Sequence, residues 1–243
     1  MATNVWKISY LLGVKIMGFD DKWDSEVYRK SLQINRYPFD SVVSAVFRCF
    51  GSVTKRSDIR ILELGCGTAN NISFLAQEGF SAVGIDGSEY AIKTGLRILE
   101  EKELSAELIC QDFTKLTNFE DQSFDMVIDR GSITHNRRTD IESTISEVHR
   151  ILKKDGMFLS HMFSAKSTEM QFGESLGDGS YHNISGGFYS GYPMVFFFAT
   201  EEDIAELFES KFTLHSKSHL ITQELMNKND YRAMWNLICK KSS

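Results

Sequence analysis

Between residues 59 and 163 the chain alternates short apolar runs with amphipathic stretches, and the runs stop on glycine or aspartate. The run at 59–64 ends on Gly65, that at 81–85 on Asp86, that at 106–110 near Asp112, and that at 124–128 on Asp129. A fifth run, 157–162, follows the Lys154-Asp155-Gly156 turn. Continuous apolar runs of this length read as strands buried on both faces. The intervals read as helices: 70–78, closed by Gly79; from a Ser88 cap to about 102; and the stretch behind Thr139-Asp140-Ile141-Glu142, a capping-box pattern. Strand and helix in this rhythm predict an α/β fold, a parallel sheet with helices on both faces. Ligands of such sheets bind beyond the carboxyl ends of the strands. Gly65, Asp86, Asp112 and Asp129 all fall at those ends.

The flanks follow other patterns. Residues 6–18 are apolar but interrupted by Lys7 and Lys15, which reads as a helix rather than a signal peptide. Residues 22–37 are polar and aromatic, a helix with a loop. Pro38 opens a helix whose buried face is Phe39, Val42, Val43, Val46, Phe47 and Phe50. Residues 164–192 are rich in Gly, Ser, Tyr and His without periodicity, and a loop of this length inside a domain usually serves a function. Thr200 caps a helix through Glu209, and 212–222 and 231–239 read as two strands joined by a polar turn.

Charge and cysteine usage narrow the function. With 27 basic and 33 acidic residues the formal net charge is −6, so no global positive field is available for a nucleic-acid backbone. No apolar run approaches the ~20 residues of a membrane span. Cys49, Cys66, Cys110 and Cys239 form no CxxC pair, and their irregular spacing suggests neither a thiolate zinc site nor a disulfide framework. The expectation is a reducing compartment, the cytoplasm, with no metal and no membrane.

Four constellations carry chemistry. Glu63-Leu64-Gly65-Cys66-Gly67-Thr68-Ala69-Asn70 puts glycines at a strand-to-helix turn, where backbone approaches a ligand closely and helix amides point at it. The alternative is a tight structural turn. A dinucleotide fingerprint would want a third glycine where Asn70 stands. Asp86 ends the next strand, where an acid accepts from both hydroxyls of a ribose; otherwise it is a helix N-terminal acid favoured by the dipole. Asp112-Phe113 suits an adenine, the carboxylate accepting from the exocyclic amine beside the ring; otherwise it is a loop acid beside a core phenylalanine. Asp129 faces the reactive end of such a ligand. Arg130, beside it, is a substrate contact or a surface charge in an ion pair.

Residues 59–163 resemble a class I S-adenosylmethionine-dependent methyltransferase, through ILELGCGTAN, VGIDGSEYAI, CQDF, SFDMVIDRGS and ILKKDGMF in that order. The resemblance implies a Rossmann-like, doubly wound, mostly parallel seven-stranded sheet whose last strand is antiparallel, with an N-terminal helical cover and an inserted lid loop. The whole chain is then one domain: cover at 1–55, cofactor-binding core at 56–163, lid at 164–193, and the rest of the sheet at 194–243. It puts the methionine moiety of S-adenosylmethionine near Gly65 and Gly67, the ribose on Asp86, and the adenine on Asp112 and Phe113. Glu63, Cys66, Gly87 and Asp129 complete the expected cofactor set. Ala69 departs from the family, where many members have glycine.

The expected reaction is methyl transfer to a small-molecule acceptor at oxygen or nitrogen. An NAD-dependent oxidoreductase and a catalytically silent cofactor-binding subunit are the alternatives. Candidate substrate residues are Arg130, His161 and, in the insertion, Tyr181, His182, Tyr189 and Tyr192; the last four otherwise only pack the loop. His135, shortly after the fourth strand, is the candidate base, since a histidine near neutral pKa can take a proton from a hydroxyl acceptor. His161 competes with it, and His149 reads as solvated or packed.

Overall fold

A computed structural model describes residues 20–224 and 230–242; the helix expected at 6–18 lies outside the described residues. The sheet contains β1 (Arg60–Leu64), β2 (Ser81–Asp86), β3 (Glu107–Cys110), β4 (Phe124–Asp129) and β5 (Leu152–Phe163). Its last members are β9 (Phe212–Glu224) and β10 (Asp230–Lys241), and the strand order is β3-β2-β1-β4-β5-β10-β9. The first five strands are parallel. The chain's last strand, β10, is inserted antiparallel between β5 and β9, as the resemblance implies. The order reverses between β1 and β4, which opens a crevice at the carboxyl edge. Register aligns that edge: Leu64 lies opposite both Ile85 and Asp129, Asp86 opposite Cys110, and Asp129 opposite Ser160.

Alternation within the strands divides the core. Ile61, Met126, Ile128 and Leu159 meet α1 (Asp40–Phe50), α2 (Asn70–Gln77) and α3 (Glu89–Glu101) through Val46, Ile72 and Leu99. Leu62, Leu64, Val127 and Phe158 meet α4 (Arg138–Ile151) and α5 (Glu201–Phe208) through Ile145, Val148 and Phe208. Each such fully buried side chain stabilises by roughly 1.5–3 kcal/mol, and truncating Leu64 to alanine would cost about 2–5 kcal/mol. Glu63 falls between Leu62 and Leu64, so its carboxylate is carried to the α2 side and is buried.

Two local readings are corrected. Thr139 does not cap α4: the N-cap is Arg137, without a side-chain hydrogen bond. The expected Thr200 cap of α5 does form, as a capping box in which Thr200 accepts from the Asp203 amide and Asp203 accepts from the Thr200 amide. The Lys154-Asp155-Gly156 turn is part of β5, which begins at Leu152 directly after α4; Asp155 takes φ +61° there and the pairing with β4 shifts register.

The N-terminal stretch and the insertion are less regular than helix and loop. Trp23–Tyr28 is a single π-helical segment, the strap. The insertion forms a short helical turn (Thr168–Phe172), then β6 (Glu174–Ser175) and β7 (Ser180–His182), which with β8 (Phe196–Phe197) make a three-stranded antiparallel sheet. Val27 of the strap shares a third apolar cluster with Phe163, Ile184, Met194, Phe196 and Phe198. The two covering segments therefore pack on each other over the end of β5.

Candidate active site

A cavity of about 480 Å³ lies at the carboxyl edge, under the strap and the insertion. Glu63, Gly65, Cys66 and Gly67 line it at the β1 end, Asp86 and Gly87 at the β2 end, and Asp112 and Phe113 at the β3 end. Its other half is lined by Arg130 and His135 after β4, Tyr189 and Tyr192 of the insertion, and Arg232 and Met234 of β10. The lining separates by charge: its carboxylates gather toward β1–β3 and the strap, its arginines toward β4 and β10.

The glycine turn leaves no room for side chains. Gly65 has φ +64°, and a Cβ on it would lie 2.2 Å from Ser132 Oγ. Gly67 has φ +52°, and its Cβ would lie 3.0 Å from the Tyr28 hydroxyl. L-residues pay for positive φ and here would also clash. Ala69 takes φ 65° as the N-cap of α2, so the position where many family members have glycine keeps a left-handed backbone.

Asp86 is drawn into this turn. Its Oδ2 accepts from the Gly67 amide at 2.9 Å and its Oδ1 from the Ser88 amide at 2.8 Å; the Tyr28 hydroxyl stands 3.5 Å from Oδ2. Burial pushes Asp86 up to about 6 despite those two amides. Burial pushes Glu63 further, to about 8, against the hydrogen bond that Asn71 Nδ2 donates to its Oε1 at 2.6 Å. Glu63 Oε2, Thr68 Oγ1 and Asp112 Oδ2 are buried without a hydrogen-bond partner. Unmet polar atoms in a cavity wall are satisfied by what fills the cavity.

Asp129 is not among the lining residues. It is buried, and it accepts from the amides of Ser132 at 2.6 Å and Ile133 at 3.1 Å and from Ser160 Oγ at 3.0 Å. It shapes the loop after β4 and thereby presents Arg130 and His135. Burial raises it to about 6.

His135 stands in an aromatic cage, edge-on to Trp23 (4.7 Å), Phe196 (4.9 Å) and Phe163 (5.3 Å). Its Nδ1 lies 3.2 Å from the Val195 carbonyl oxygen. That contact favours the tautomer with hydrogen on Nδ1 and the lone pair on Nε2. Burial lowers the pKa from the ordinary value of 6.5 to about 4, so the ring is a weaker base than the near-neutral histidine expected. His161 does not line the cavity: it is buried inside β5 opposite Asn236, and burial and Arg130 lower it to about 3. Tyr181 packs edge-on to Phe198, and His182 sits 3.2 Å from Glu174 across β6 and β7; neither lines the cavity, whereas Tyr189 and Tyr192 do.

Sequence reasoning passed over several lining residues. Trp23 and Tyr28 come from a stretch whose polar-aromatic pattern carries no motif. Thr68 stands inside the glycine motif and was readable there. Arg232 and Met234 lie on β10, and only the antiparallel insertion of that strand beside β5 brings them to the cavity.

Comparison with known proteins agrees with this geometry. A family model described as a methyltransferase domain matches residues 61–156. A protein of Geobacillus sp. (strain WCH70) named as a methyltransferase is 26% identical over 202 residues, 81% of each chain. An uncharacterized methyltransferase of Schizosaccharomyces pombe is 30% identical over 104 residues, 43% of this chain and 71% of its own. The fold is shared with 1,6-didemethyltoxoflavin-N1-methyltransferase of Burkholderia thailandensis, solved with 1,6-didemethyltoxoflavin and S-adenosylhomocysteine. The TM-score is 0.60 at 16% identity, over 84% of this chain and 79% of that one. These matches favour methyl transfer over the nicotinamide reading, as does Asn70, whose side chain holds the Tyr37 carbonyl at 2.9 Å where a third glycine would stand. A glycine turn, acids at successive strand ends and a covered cavity thus belong to a chain of the class I methyltransferase family, an enzyme that uses S-adenosylmethionine.

Proposed function

We propose that this enzyme methylates a small-molecule acceptor at oxygen or nitrogen, inside the cavity between the strand ends and the two covering segments. The observation that carries the reading is the cover itself. Trp23 of the strap and Tyr189 and Tyr192 of the insertion line a space of about 480 Å³, within the range of small-ligand sites. The net charge of −6 gives a nucleic-acid acceptor no support. The Burkholderia enzyme, whose solved structure holds 1,6-didemethyltoxoflavin, is a parallel case.

The residues present fit S-adenosylmethionine. Gly65 and Gly67 leave open backbone where a Cβ would intrude, and Glu63 and Asp112 each keep a buried carboxylate oxygen without a partner. We assign the methionine moiety to Glu63, Gly65, Cys66 and Gly67, the ribose to Asp86 and Gly87, and the adenine to Asp112 and Phe113. When bound, the cofactor supplies a methyl group on a positively charged sulfur, already activated for displacement. The protein's task is then to orient two reactants, keep water out and receive a proton. Carboxylates toward β1–β3 favour a cation at that end. Asp129 acts indirectly, fixing the loop that carries Arg130 and His135.

His135 is the proposed proton acceptor, through Nε2. A ring of pKa about 4 is neutral throughout the physiological range, so it is always ready to accept. Being a weak base, it takes the proton only as the acceptor atom becomes acidic during transfer.

The cytoplasm is the proposed compartment, on the reduced state that four free cysteines suggest. Among the described residues no helix is long and apolar enough to cross a membrane. The test of function is release of S-adenosylhomocysteine across panels of small hydroxyl and amine acceptors, peptides and RNA. Turnover confined to small acceptors supports the reading; turnover only with a macromolecule overturns it.

A further inference from the structure

One wall of the cavity runs on past the reaction end. Met234 of β10 lies directly opposite Phe163 of β5 and, on its other flank, opposite Leu220 of β9. Residues directly opposite in paired strands share a face. The three side chains therefore form one apolar row across three adjacent strands, and all three line the cavity. The row starts beside the proposed base, with the Phe163 ring 5.3 Å from His135, and ends at the sheet edge. Phe163 is 6% exposed, Met234 is half-buried and Leu220 is 56% exposed. Two strand spacings, about 10 Å, separate the ends of the row.

A second apolar path leaves the same ring. Tyr189 of the insertion lies 5.0 Å from Phe163, and Phe188 lies 5.0 Å from Tyr189. Both line the cavity, and Phe188 is 58% exposed. Arg232, two residues before Met234 and so on the same face of β10, stacks on Phe188 at 4.4 Å and ties the insertion to the sheet beside the row. An exposed leucine or phenylalanine is ordinary when it stands alone. Here two paths that begin on one buried ring both end on side chains more than half exposed, and both continue the lining of one cavity. The opposite face of the same strands is closed, with His219 stacked on Trp235 at 4.0 Å.

We propose that these two paths form a trough for an apolar tail, so that the acceptor is an amphiphile. Its hydroxyl or amino group sits at the reaction end, and its alkyl or aryl extension lies along Phe163, Met234 and Leu220 toward the surface. This rests on the small-molecule reading given above and names the class within it. Covering the row removes apolar surface from water, and it leaves the polar end of the acceptor as the part that reaches His135.

The test is calorimetry on the full chain saturated with S-adenosylhomocysteine. The probes are phenol, 4-propylphenol and 4-hexylphenol, each below its solubility limit. Affinity should rise at least about 2-fold per added methylene; full burial, at roughly 0.8 kcal/mol per methylene, corresponds to about 4-fold. Leu220→Thr and Phe188→Ser, both at exposed positions, should each remove about half or more of the gain from propyl to hexyl. Ile221→Ser is the control. Ile221 is 50% exposed but lies opposite Ala233, on the other face of the sheet, and its variant should keep the whole gain. Affinities that do not rise with chain length overturn the proposal, as does a gain that Ile221→Ser reduces as much as Leu220→Thr. Two other occupants of the row would show themselves without any probe. A change from dimer to monomer on Leu220→Thr, read by sedimentation, would make the row a contact between copies. Retention on phosphatidylcholine vesicles that is lost in the same variant would make it a lipid contact. Either result overturns the trough. Failure of the small-molecule reading is seen separately, as turnover confined to peptides or RNA.

Discussion

Asp24 accepts a hydrogen bond at 3.0 Å from the backbone amide of Tyr90, in the first turn of α3. The same oxygen accepts from the Ser88 hydroxyl at 2.5 Å, while Ser88 Oγ in turn accepts from the Ala91 amide at 3.0 Å. The strap thus supplies a cap to the helix that starts just after Asp86, using an amide that has no partner within its own helix. Tyr28 then reaches Asp86 from above, and Lys22 Nζ holds the Pro193 carbonyl of the insertion at 3.0 Å. Closing the cavity on one side is therefore coupled to capping α3.

Asp24→Ala should destabilise the chain by about 1 kcal/mol, the usual cost of a lost cap, and should raise hydrogen exchange in residues 22–32 first. Burial acts to raise the Asp24 pKa, but hydrogen bonds from Ser88, Tyr90 and Arg29 outweigh it, and the carboxyl ends up below its ordinary value of 3.8. A depressed acid stabilises the fold above its unfolded pKa, and that contribution is lost as pH falls through the folded value. The gap between variant and wild type should therefore be full at pH 7 and close under acid conditions. Denaturant titration at several pH values checks this; unchanged exchange in 22–32 would refute the latch.

Asp86→Ala should weaken binding of S-adenosylhomocysteine by about 1.5–3 kcal/mol, the value of hydrogen bonds to a charged acceptor. The ribose hydroxyls need the anion, and burial has lifted this carboxyl to about 6 in the ligand-free chain. Wild-type affinity should fall as pH drops below about 6, and part of that fall should be missing in the variant. Calorimetry on both proteins across that range reads it, and equal dissociation constants would remove Asp86 from the ribose site.

Glu63→Gln should stabilise the ligand-free chain yet weaken its hold on the cofactor. Burial raises Glu63 from 4.5 to about 8. An acid whose folded pKa is raised supports the fold below its unfolded pKa, and the support is lost as pH rises through the folded value. Wild-type stability should decline between about pH 4.5 and 8, and glutamine should flatten the decline while keeping the Asn71 hydrogen bond. The difference at pH 8.5 should be on the order of a few kcal/mol. Opposite signs for stability and S-adenosylhomocysteine affinity are the diagnostic, and a variant less stable at pH 8.5 would contradict it.

The parallel sheet and the acids at its edge were legible because each rests on local pattern: apolar runs that end on Gly65, Asp86 and Asp129, and a Ser88 cap that accepts from the Ala91 amide. The Thr139 capping box failed because the pattern does not say where the chain turns, and the helix starts earlier, at Arg138. The small sheet of the insertion has strands of two or three residues, too short for a period of two to register. Arg232 and Trp23 reach the cavity only through strand order and the packing of distant segments. No spacing in the sequence encodes those contacts.

His135→Ala should lower turnover roughly 10²-fold once an acceptor is found, with cofactor affinity retained, if Nε2 takes the proton. The pH profile carries the sharper signature. A base of ordinary pKa would switch activity off below about 6.5; one held at about 4 by burial leaves kcat/KM free of a His135 limb down to that value. The same depression has a stability consequence of known sign. Between about pH 6.5 and 4 the unfolded chain binds a proton that the buried ring refuses, so the wild type should lose stability as pH falls through that window, and His135→Ala should lose less. The cage of Trp23, Phe163 and Phe196 makes some loss of packing in the variant inevitable, and His135→Gln, which keeps more side-chain volume, controls for it. If both variants keep turnover within a few-fold of wild type while the stability window flattens, the ring is a packing element under the strap, and methyl transfer here proceeds by positioning alone.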